Sequence, residues 1–292
     1  MTPKFSVVQF TTPGLTFAED IEVFAAAGAD GICICESKLS TDGDDTAALA
    51  QLHASGLQPS SFFPFCATLL PTPHNVGADT PEGRIDDVAA AIPRGAAFGA
   101  EWCNLTPGPY GTLEPDRARA LVVDGIRRIA RVAAEHDMKV GVELMHPTLF
   151  EDFSFITTIP EVVALIEEVG EPNLGIALDA WHLSEGPEVA EQITEQADRI
   201  LAFHLNDRRD PTRSWCDRVL PGDGTVDLVG AIRALEDAGF DGWYEFEVVS
   251  DDGRVEHDFP DSLWKIDPLD LITTGREKFL RIWEEARAGA AI

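Results

Sequence analysis

The sequence predicts an α/β protein, a single (β/α)8 TIM barrel that spans residues 1–292. Three observations lead to this fold class. Eight short apolar runs alternate with eight helical segments, each run preceding its helix. The length of 292 residues is typical of such a barrel. No linker-like stretch, low-complexity tract or self-similar repeat divides the chain.

The first four strand–helix units fill the N-terminal half. Thr16 with Glu19 forms a capping box at the first helix, and Thr80 ahead of Pro81 marks the start of the third. Pro115 opens the long fourth helix. The predicted strands cover residues 4–10, 31–36, 57–65 and 101–105, and the predicted helices cover 17–27, 44–55, 81–98 and 115–135.

The second half repeats the pattern four times. Strands are predicted over residues 139–145, 174–179, 200–205 and 243–249, and helices from about 160 and over 187–197, 227–238 and 267–288. Two loops on one face are long, residues 206–226 and 250–266. Loops of this length in a compact protein are usually functional or disordered. Because the second contains aromatic residues, we expect it to be an ordered lid.

The composition is strongly acidic, with 51 Asp and Glu against 22 Lys and Arg and a formal net charge of −29. Nucleic acids and anionic membranes are bound through clustered positive side chains. We therefore expect no nucleic acid and no membrane among its partners. The sequence starts without a signal-like segment and has no apolar run of 18 residues, so a cytoplasmic location is expected.

The cysteines do not form a recognisable metal or disulfide motif. They are odd in number and lack a CxxC pair: Cys33, Cys35, Cys66, Cys103 and Cys216. Cys33 and Cys35 lie two residues apart in a predicted strand, so both point to the same face. Buried free thiols are the expectation.

Polar side chains end four consecutive predicted strands, at Glu143, Asp179, His204 and either Glu245 or Glu247. The C-terminal strand ends of such a barrel carry its active site. Three carboxylates and one imidazole form a mainly oxygen-donor site for one divalent ion, with Mn²⁺ or Mg²⁺ favoured and Co²⁺ or Zn²⁺ as alternatives. Glu245 and Glu247 share a face, so spacing alone leaves the fourth ligand open.

The segments GVELMHP, LDAWHL, HLND, RVLPGDGTVDL and FDGWYEFEVVSDD resemble the xylose-isomerase-like superfamily of barrels, which includes sugar isomerases and epimerases. The resemblance extends over nearly the whole chain. It implies that Glu143, Asp179, His204 and Glu247 hold the metal, since the family's last glutamate follows an aromatic-Asp-Gly turn by five residues.

The same resemblance implies substrate contacts. A histidine three residues after the aspartate and an arginine before a Pro-Gly turn bind substrate in ketose 3-epimerases, and His182 and Arg218 match them. The chain departs from those epimerases in its longer loop before Arg218 and in His146 after strand five. His146 is a candidate second base.

Two further residues are candidates for substrate binding. Glu36 ends the second strand, where it can reach the substrate or Lys38 or lie at the surface. Trp181 and Trp215 can line an apolar side of the pocket or pack in the core.

These residues predict a metal-dependent isomerase or epimerase of a small carbohydrate-like substrate. Glu143 and Glu247 would remove and return a proton beside a carbonyl, through an enediolate. The alternatives are a lyase or dehydratase with the same first step, such as a keto-inositol or dehydroshikimate dehydratase or a 3-keto-C-glycoside-cleaving subunit, and a non-catalytic sugar-binding barrel. Homo-oligomers and a small partner subunit occur among similar barrels and are further expectations.

Overall fold

The computed structural model describes residues 2–74, 76–186 and 188–288. Its strands are β1 Lys4–Val8, β2 Gly31–Cys35, β3 Gln58–Phe63, β4 Trp102–Leu105, β5 Lys139–Glu143, β6 Leu174–Asp179, β7 Ile200–Leu205, β8 Asp207–Arg208, β9 Arg218–Val219 and β10 Trp243–Phe246. Its α-helices are α1 Phe17–Ala26, α2 Thr46–Ser55, α3 Pro81–Ala97, α4 Pro115–Ala134, α5 Ile159–Val169, α6 Glu188–Gln196, α7 Leu228–Asp237 and α8 Pro268–Ala288.

Eight parallel strands close into a barrel in the order β1-β10-β7-β6-β5-β4-β3-β2. β1 closes it by pairing with both β2 and β10, so that Ser6 lies opposite Gly31 on one side and Glu245 on the other. The predicted (β/α)8 barrel is confirmed. Beside it, β8 and β9 form a short antiparallel hairpin within the first long loop.

The helix starts follow the predicted signals. At α1, the Glu19 backbone N–H donates to Thr16 Oγ1 over 3.3 Å, and the Thr16 N–H donates to Glu19 Oε2 over 2.8 Å. At α3, Thr80 Oγ1 accepts the Gly83 N–H. The sixth helix is described from Glu188, and Pro187, where it was predicted to begin, lies outside the described residues.

Several strands end earlier than predicted. β1 ends at Val8, β2 at Cys35 and β5 at Glu143, and single 3-10 turns over Gln9–Thr11 and Glu36–Lys38 replace the last residues of the first two. Beyond β1 and β5, Phe10 and Met145 continue the apolar runs because they surround the barrel mouth, whereas Glu36 after β2 is charged. Apolar runs do not distinguish a strand from a buried loop, so the predicted ends were too long.

A layer of large and small side chains fills the barrel below its mouth. Trp102 and Trp243 pack there with Ala177 and Ala202. The Trp102 ring lies 6.1 Å from the His204 ring, centroid to centroid, which places His204 directly above this layer. The polar groups at the strand ends therefore lie directly above a packed apolar layer. All five cysteines are free and buried, as predicted.

The two long loops are tied together over the mouth. Arg213 Nη1 donates to Asp261 Oδ1 over 2.8 Å, and Arg209 Nη2 donates to Asp261 Oδ2 over 3.1 Å. The Arg213 guanidinium also lies 4.0 Å from the centre of the Phe259 ring. The loop over residues 250–266 is therefore held by ion pairs and an aromatic contact. No helix in the described ranges has the length and apolar character needed to cross a bilayer.

Candidate metal centre

Four side chains from neighbouring strands meet at the barrel mouth. Glu143 and Asp179 end β5 and β6, His204 lies in β7, and Glu247 follows β10. One oxygen or nitrogen atom of each lies within 4.8 Å of those of the others, and all four side chains are buried. The barrel order places these strands side by side, because β6 pairs with β5 and β7, and β7 with β10. The four predicted ligands are thus brought together.

Charge at this point is not balanced by the surrounding protein. Glu143, Asp179, Glu245 and Glu247 are each at most 5% exposed. Burial lowers the pKa of His204, but the adjacent carboxylates of Glu247, Glu143 and Glu245 raise it by more than burial lowers it. The pKa of His204 therefore lies well above its usual value. Even with His204 protonated, it and Arg218 offset two of four negative charges. A divalent cation bound in place of the His204 proton adds positive charge where the surrounding side chains leave an excess of negative charge.

Unpartnered atoms also fit a cation. His204 Nδ1 lies 2.8 Å from Glu247 Oε2 and 3.6 Å from Glu143 Oε1. Neither His204 Nδ1 nor Glu247 Oε2 has a hydrogen-bond partner, since their close approach lacks hydrogen-bond geometry. Buried polar atoms without partners are costly. Two such atoms side by side are well explained as ligands of one ion, so the residues present fit the predicted metal.

Glu245 lies on the other side of the imidazole. Its Oε2 is 3.3 Å from His204 Nε2. Ser61 Oγ donates to both Glu245 oxygens, over 2.8 and 3.0 Å. Glu245 therefore lies beside His204 Nε2, which has no hydrogen-bond partner, while Nδ1 faces Glu247 and Glu143. Residue spacing left Glu245 and Glu247 equivalent, and the geometry separates them.

Asp179 is fixed by three donors. Its Oδ1 accepts the Trp181 N–H and the Asn206 side-chain N–H, each over 2.8 Å, and its Oδ2 accepts Arg218 Nη2 over 3.0 Å. Burial raises the pKa of Asp179, but Arg218 and the two neighbouring histidines lower it more, to about 2. Asp179 is therefore a carboxylate at any physiological pH.

His182 is a neutral donor aimed at the cluster. Burial lowers its pKa to about 4, against the opposing effect of Asp179 and Glu143. Its Nδ1 accepts the His146 backbone N–H over 3.1 Å, so the single proton of the neutral ring is on Nε2. Nε2 lies 3.7 Å from Asp179 Oδ2 and 4.0 Å from Glu143 Oε1. The Nε2–H therefore lies on the side of the ring that faces these two carboxylates.

Arg218 lines the cavity, and part of its guanidinium is hydrogen-bonded to other groups of the protein. Besides Asp179, it donates through Nη1 to the Trp215 carbonyl over 3.2 Å, and its Nε has no partner. The guanidinium also lies 5.4 Å from the centre of the Trp181 ring. Its Nε is thus a buried donor left over for a ligand.

Three predicted residues do not line the cavity. His146 packs edge-on to Trp181 at 5.6 Å, and its Nδ1 contacts Thr148. The carboxylate of Glu36 accepts the Phe65 backbone N–H over 2.8 Å and lies 3.4 Å from Arg94, with no contact to Lys38 recorded in the described residues. Trp181 is fully buried against Met145, Leu149 and Phe153. Each of the three contacts a residue that does line the cavity. His146 contacts His182, Glu36 contacts Phe65, and Trp181 lies beside Arg218.

The sequence analysis missed two amides. Asn104 Nδ2 donates to Glu143 Oε2 over 2.9 Å, and its own Oδ1 has no partner. Asn206 holds Asp179 in the same way, also with a free Oδ1. Both lie at the end of a barrel strand, a position that could have singled them out. They orient the carboxylates and leave acceptors near the mouth.

The cluster opens into a cavity of about 460 Å³. Glu143, His182, Arg218 and Glu247 contribute to its lining, together with Asn104. A cavity of this size accommodates a small organic molecule. Its polar floor contains carboxylates, a neutral imidazole donor and a guanidinium, a set suited to polyol and carbonyl oxygens.

Curated relatives with different activities match parts of the chain. D-psicose 3-epimerase of Enterocloster bolteae is 28% identical over 128 residues, 44% of this chain and 38% of that protein. Inosose dehydratase of Geobacillus thermodenitrificans is 27% identical over 146 residues, which are 45% of this chain and 47% of that protein. A probable endonuclease 4 of Thermoplasma acidophilum is 30% identical over 155 residues, 49% and 52%. The chain thus spans about half or less of the length of these relatives.

Solved structures match over nearly the full length. A protein of Sinorhizobium meliloti 1021 superimposes with a TM-score of 0.81 and 27% identity, covering 96% of this chain and 98% of the other. The IOLI protein, whose structure is described with a zinc atom, superimposes with a TM-score of 0.78 and 19% identity, covering 97% of this chain and 99% of the other. The family model for the xylose isomerase-like TIM barrel matches residues 21–275. With most of its length inside that match, the chain belongs to the xylose isomerase-like TIM barrel family.

Proposed function

We propose that this protein is a divalent-metal-dependent isomerase or epimerase of a carbohydrate-like substrate. The observation that carries the proposal is the cluster of Glu143, Asp179, His204 and Glu247, in which two unpartnered buried atoms, His204 Nδ1 and Glu247 Oε2, lie 2.8 Å apart. An epimerase and a dehydratase among its partial relatives support sugar chemistry. The net charge of −29 disfavours a nucleic acid substrate, despite the match to an endonuclease.

These four residues would hold one ion, with Mn²⁺ or Mg²⁺ favoured by the three carboxylates and Co²⁺ or Zn²⁺ compatible with the imidazole. When bound, such a cation polarises the substrate carbonyl and offsets the negative charge of an enediolate. The cytoplasm, a single domain over the whole chain, and assembly with further copies or a small partner subunit remain part of this proposal.

Proton transfer is assigned to Glu143 and Glu247, which come from β5 and the end of β10, with two strands between them. A substrate carbon held between them would lose its proton to one carboxylate and receive a proton from the other. Asn104 fixes the orientation of Glu143. The His182 Nε2–H and Arg218 Nε would donate to substrate oxygens, which orients the carbon relative to the two glutamates.

A lyase is the second candidate, favoured by the similarity to an inosose dehydratase. It begins with the same proton abstraction and differs in expelling a neighbouring substituent. Ketoses and β-elimination substrates separate the two activities, since only elimination yields an unsaturated or cleaved product.

Metal uptake tests the proposal. We expect protein that has been stripped of metal and supplied with Mn²⁺, Mg²⁺, Co²⁺ or Zn²⁺ to retain about one ion per chain, measured by elemental analysis after gel filtration. Glu247→Gln should weaken binding roughly 10- to 100-fold and abolish turnover, because it removes a charged ligand. The matched control is Glu256→Gln in the loop over residues 250–266, which should bind metal as the parent does.

Three results would overturn the assignment. Absence of stoichiometric uptake of all four metals would exclude the metal centre. Full turnover by Glu247→Gln would exclude this glutamate from proton transfer, and sugar binding without any turnover by the parent protein would favour a non-catalytic barrel.

A further inference from the structure

The cavity has a polar floor and apolar walls. Above the metal cluster, most of the residues that line it are aromatic or aliphatic: Phe10, Pro13, Phe63, Pro64, Phe65, Ala67, Met145, Leu149, Phe153, Trp215, Val249, Val255 and Trp264. A free sugar presents hydroxyls in nearly every direction. Such walls satisfy few of them, so the upper part of the cavity fits a different kind of chemical group.

One wall is a cluster of three rings. His74 stacks on Phe153 with centroids 4.9 Å apart and planes 6° from parallel. Trp215 lies 5.0 Å from Phe153 and 5.4 Å from His74. The Trp215 Nε1–H is buried without a partner. The cluster offers flat faces and one unused donor beside the entrance.

The other wall contains phenylalanines. Phe10 and Phe63 meet edge to face at 5.1 Å. Phe65 next to them is 53% exposed, although it is a large apolar side chain. Its backbone N–H is anchored by the Glu36 carboxylate at 2.8 Å. An exposed aromatic ring on an anchored backbone at a cavity mouth is a ready contact for an apolar ligand.

The lysine and the arginine that line the cavity both contact acceptor groups of the protein. Among its described lining residues, Lys38 and Arg218 are the lysine and arginine. Lys38 Nζ contacts the Thr12 carbonyl at 2.7 Å, the Leu15 carbonyl at 2.5 Å and Asp20 Oδ2 at 3.0 Å, which uses all three of its N–H donors. Arg218 is paired with Asp179. Beyond the Arg218 Nε–H and the proposed metal ion, a substrate phosphate would therefore find no unpaired lysine or arginine among the described lining residues.

We infer that the substrate is an unphosphorylated, carbohydrate-like molecule that carries an aryl or similarly flat apolar group. This inference rests on the proposed function and specifies its substrate class. The polyol part lies on the floor, within reach of Glu143, His182 and Glu247. The flat group contacts Trp215, Phe153 and Phe65, which all line the cavity, so that ring contacts and burial replace hydrogen bonds.

Paired ligands test this inference by calorimetry on manganese-loaded protein. Phenyl β-D-glucopyranoside should bind roughly tenfold or more tightly than methyl β-D-glucopyranoside, because only the phenyl ring occupies the upper cavity. D-glucose 6-phosphate should bind no more tightly than D-glucose. Trp215→Leu should reduce the phenyl preference to about threefold or less. Trp283→Leu, which changes a tryptophan on α8 outside the cavity, should leave it intact.

Three outcomes would overturn the inference: equal binding of the phenyl and methyl ligands, no detectable binding of the phenyl ligand, or tighter binding of the phosphate. Metal content is measured on the same samples. One ion per chain with no phenyl preference would remove this inference and leave the proposed function. A phenyl preference lost in Trp215→Leu, in protein that retains no ion, would remove the metal chemistry and leave the apolar half of the cavity.

Discussion

At the scale of single residues, three side chains of the cluster each have a neighbour that limits their orientation. Asn104 orients Glu143, Asn206 orients Asp179, and Glu245 lies below His204. These contacts fix the directions of the ligand atoms before any ion binds. The arrangement therefore avoids much of the entropy loss that flexible carboxylates would suffer on binding.

The neutral state of His182 predicts a pH dependence of stability. The usual pKa of a histidine is 6.5, and in the folded protein burial lowers that of His182 to about 4. As pH falls below 6.5 the unfolded chain takes up this proton first, so the folded state loses stability between pH 6.5 and 4. The loss attributable to His182 approaches roughly 3 kcal/mol at the acid end.

His182→Gln isolates this effect, because glutamine does not titrate. Chemical unfolding of both metal-free proteins at several pH values from 7 to 4.5 gives the difference in their free energies of unfolding. That difference should shift in favour of the variant as pH falls. A difference that stays constant over this range would contradict a buried neutral His182.

At the scale of elements, the loop after β7 is organised by one carboxylate. Asp207 accepts the backbone N–H groups of Arg208, Gly222, Gly224 and Val226 over 2.8 to 3.0 Å. These bonds draw the far end of the loop back to the barrel. They thereby place Arg218, which lies between the bonded segments, over the metal cluster.

Asp207→Ala should loosen this loop, because four backbone donors lose their acceptor. We expect a loss of roughly 2–4 kcal/mol in the free energy of unfolding. Amide hydrogen exchange over residues 206–226 should become faster while exchange in β5 and β6 stays slow. Asp223→Ala in the same loop is the control, since Asp223 pairs with Lys278 at the surface. Equal protection of the loop in both variants would show that Asp207 does not organise it.

At the scale of the whole molecule, closure of the barrel depends on large rings packed over glycines. A Cβ at Gly141 would lie 2.5 Å from Trp102 Cζ3, and one at Gly31 would lie 2.8 Å from Trp243 Cζ3. The two tryptophans fill the interior below the site only because neighbouring strands lack side chains there. The Trp102 ring also stacks against the His204 ring.

Gly141→Ala should therefore destabilise the protein by about 1–3 kcal/mol through overpacking. A second variant, Trp102→Leu, makes room for the new methyl group. In that background Gly141→Ala should lower the free energy of unfolding by clearly less. A double-mutant cycle of thermal or chemical unfolding measures this difference. Equal costs in the two backgrounds would mean that Trp102 does not restrict position 141.

The sequence by itself determined the order of strands and helices, the capped starts of α1 and α3, and which polar residues end the strands. Those features depend on local periodicity and on contacts a few residues apart, such as Thr16 with Glu19. The apolar runs did not determine where β1 and β5 end. Buried loop residues at the mouth are as apolar as strand residues, so composition alone does not locate the boundary.

Only the tertiary structure decided which neighbour each side chain meets. Glu245 and Glu247 share a face in sequence, yet barrel closure places one below His204 and the other beside its Nδ1. The directions of the His146 and Glu36 side chains were likewise decided by partners distant in sequence, at Trp181 and Phe65. Periodicity specifies the face of a strand, whereas the register and closure of the barrel specify the contacts across it.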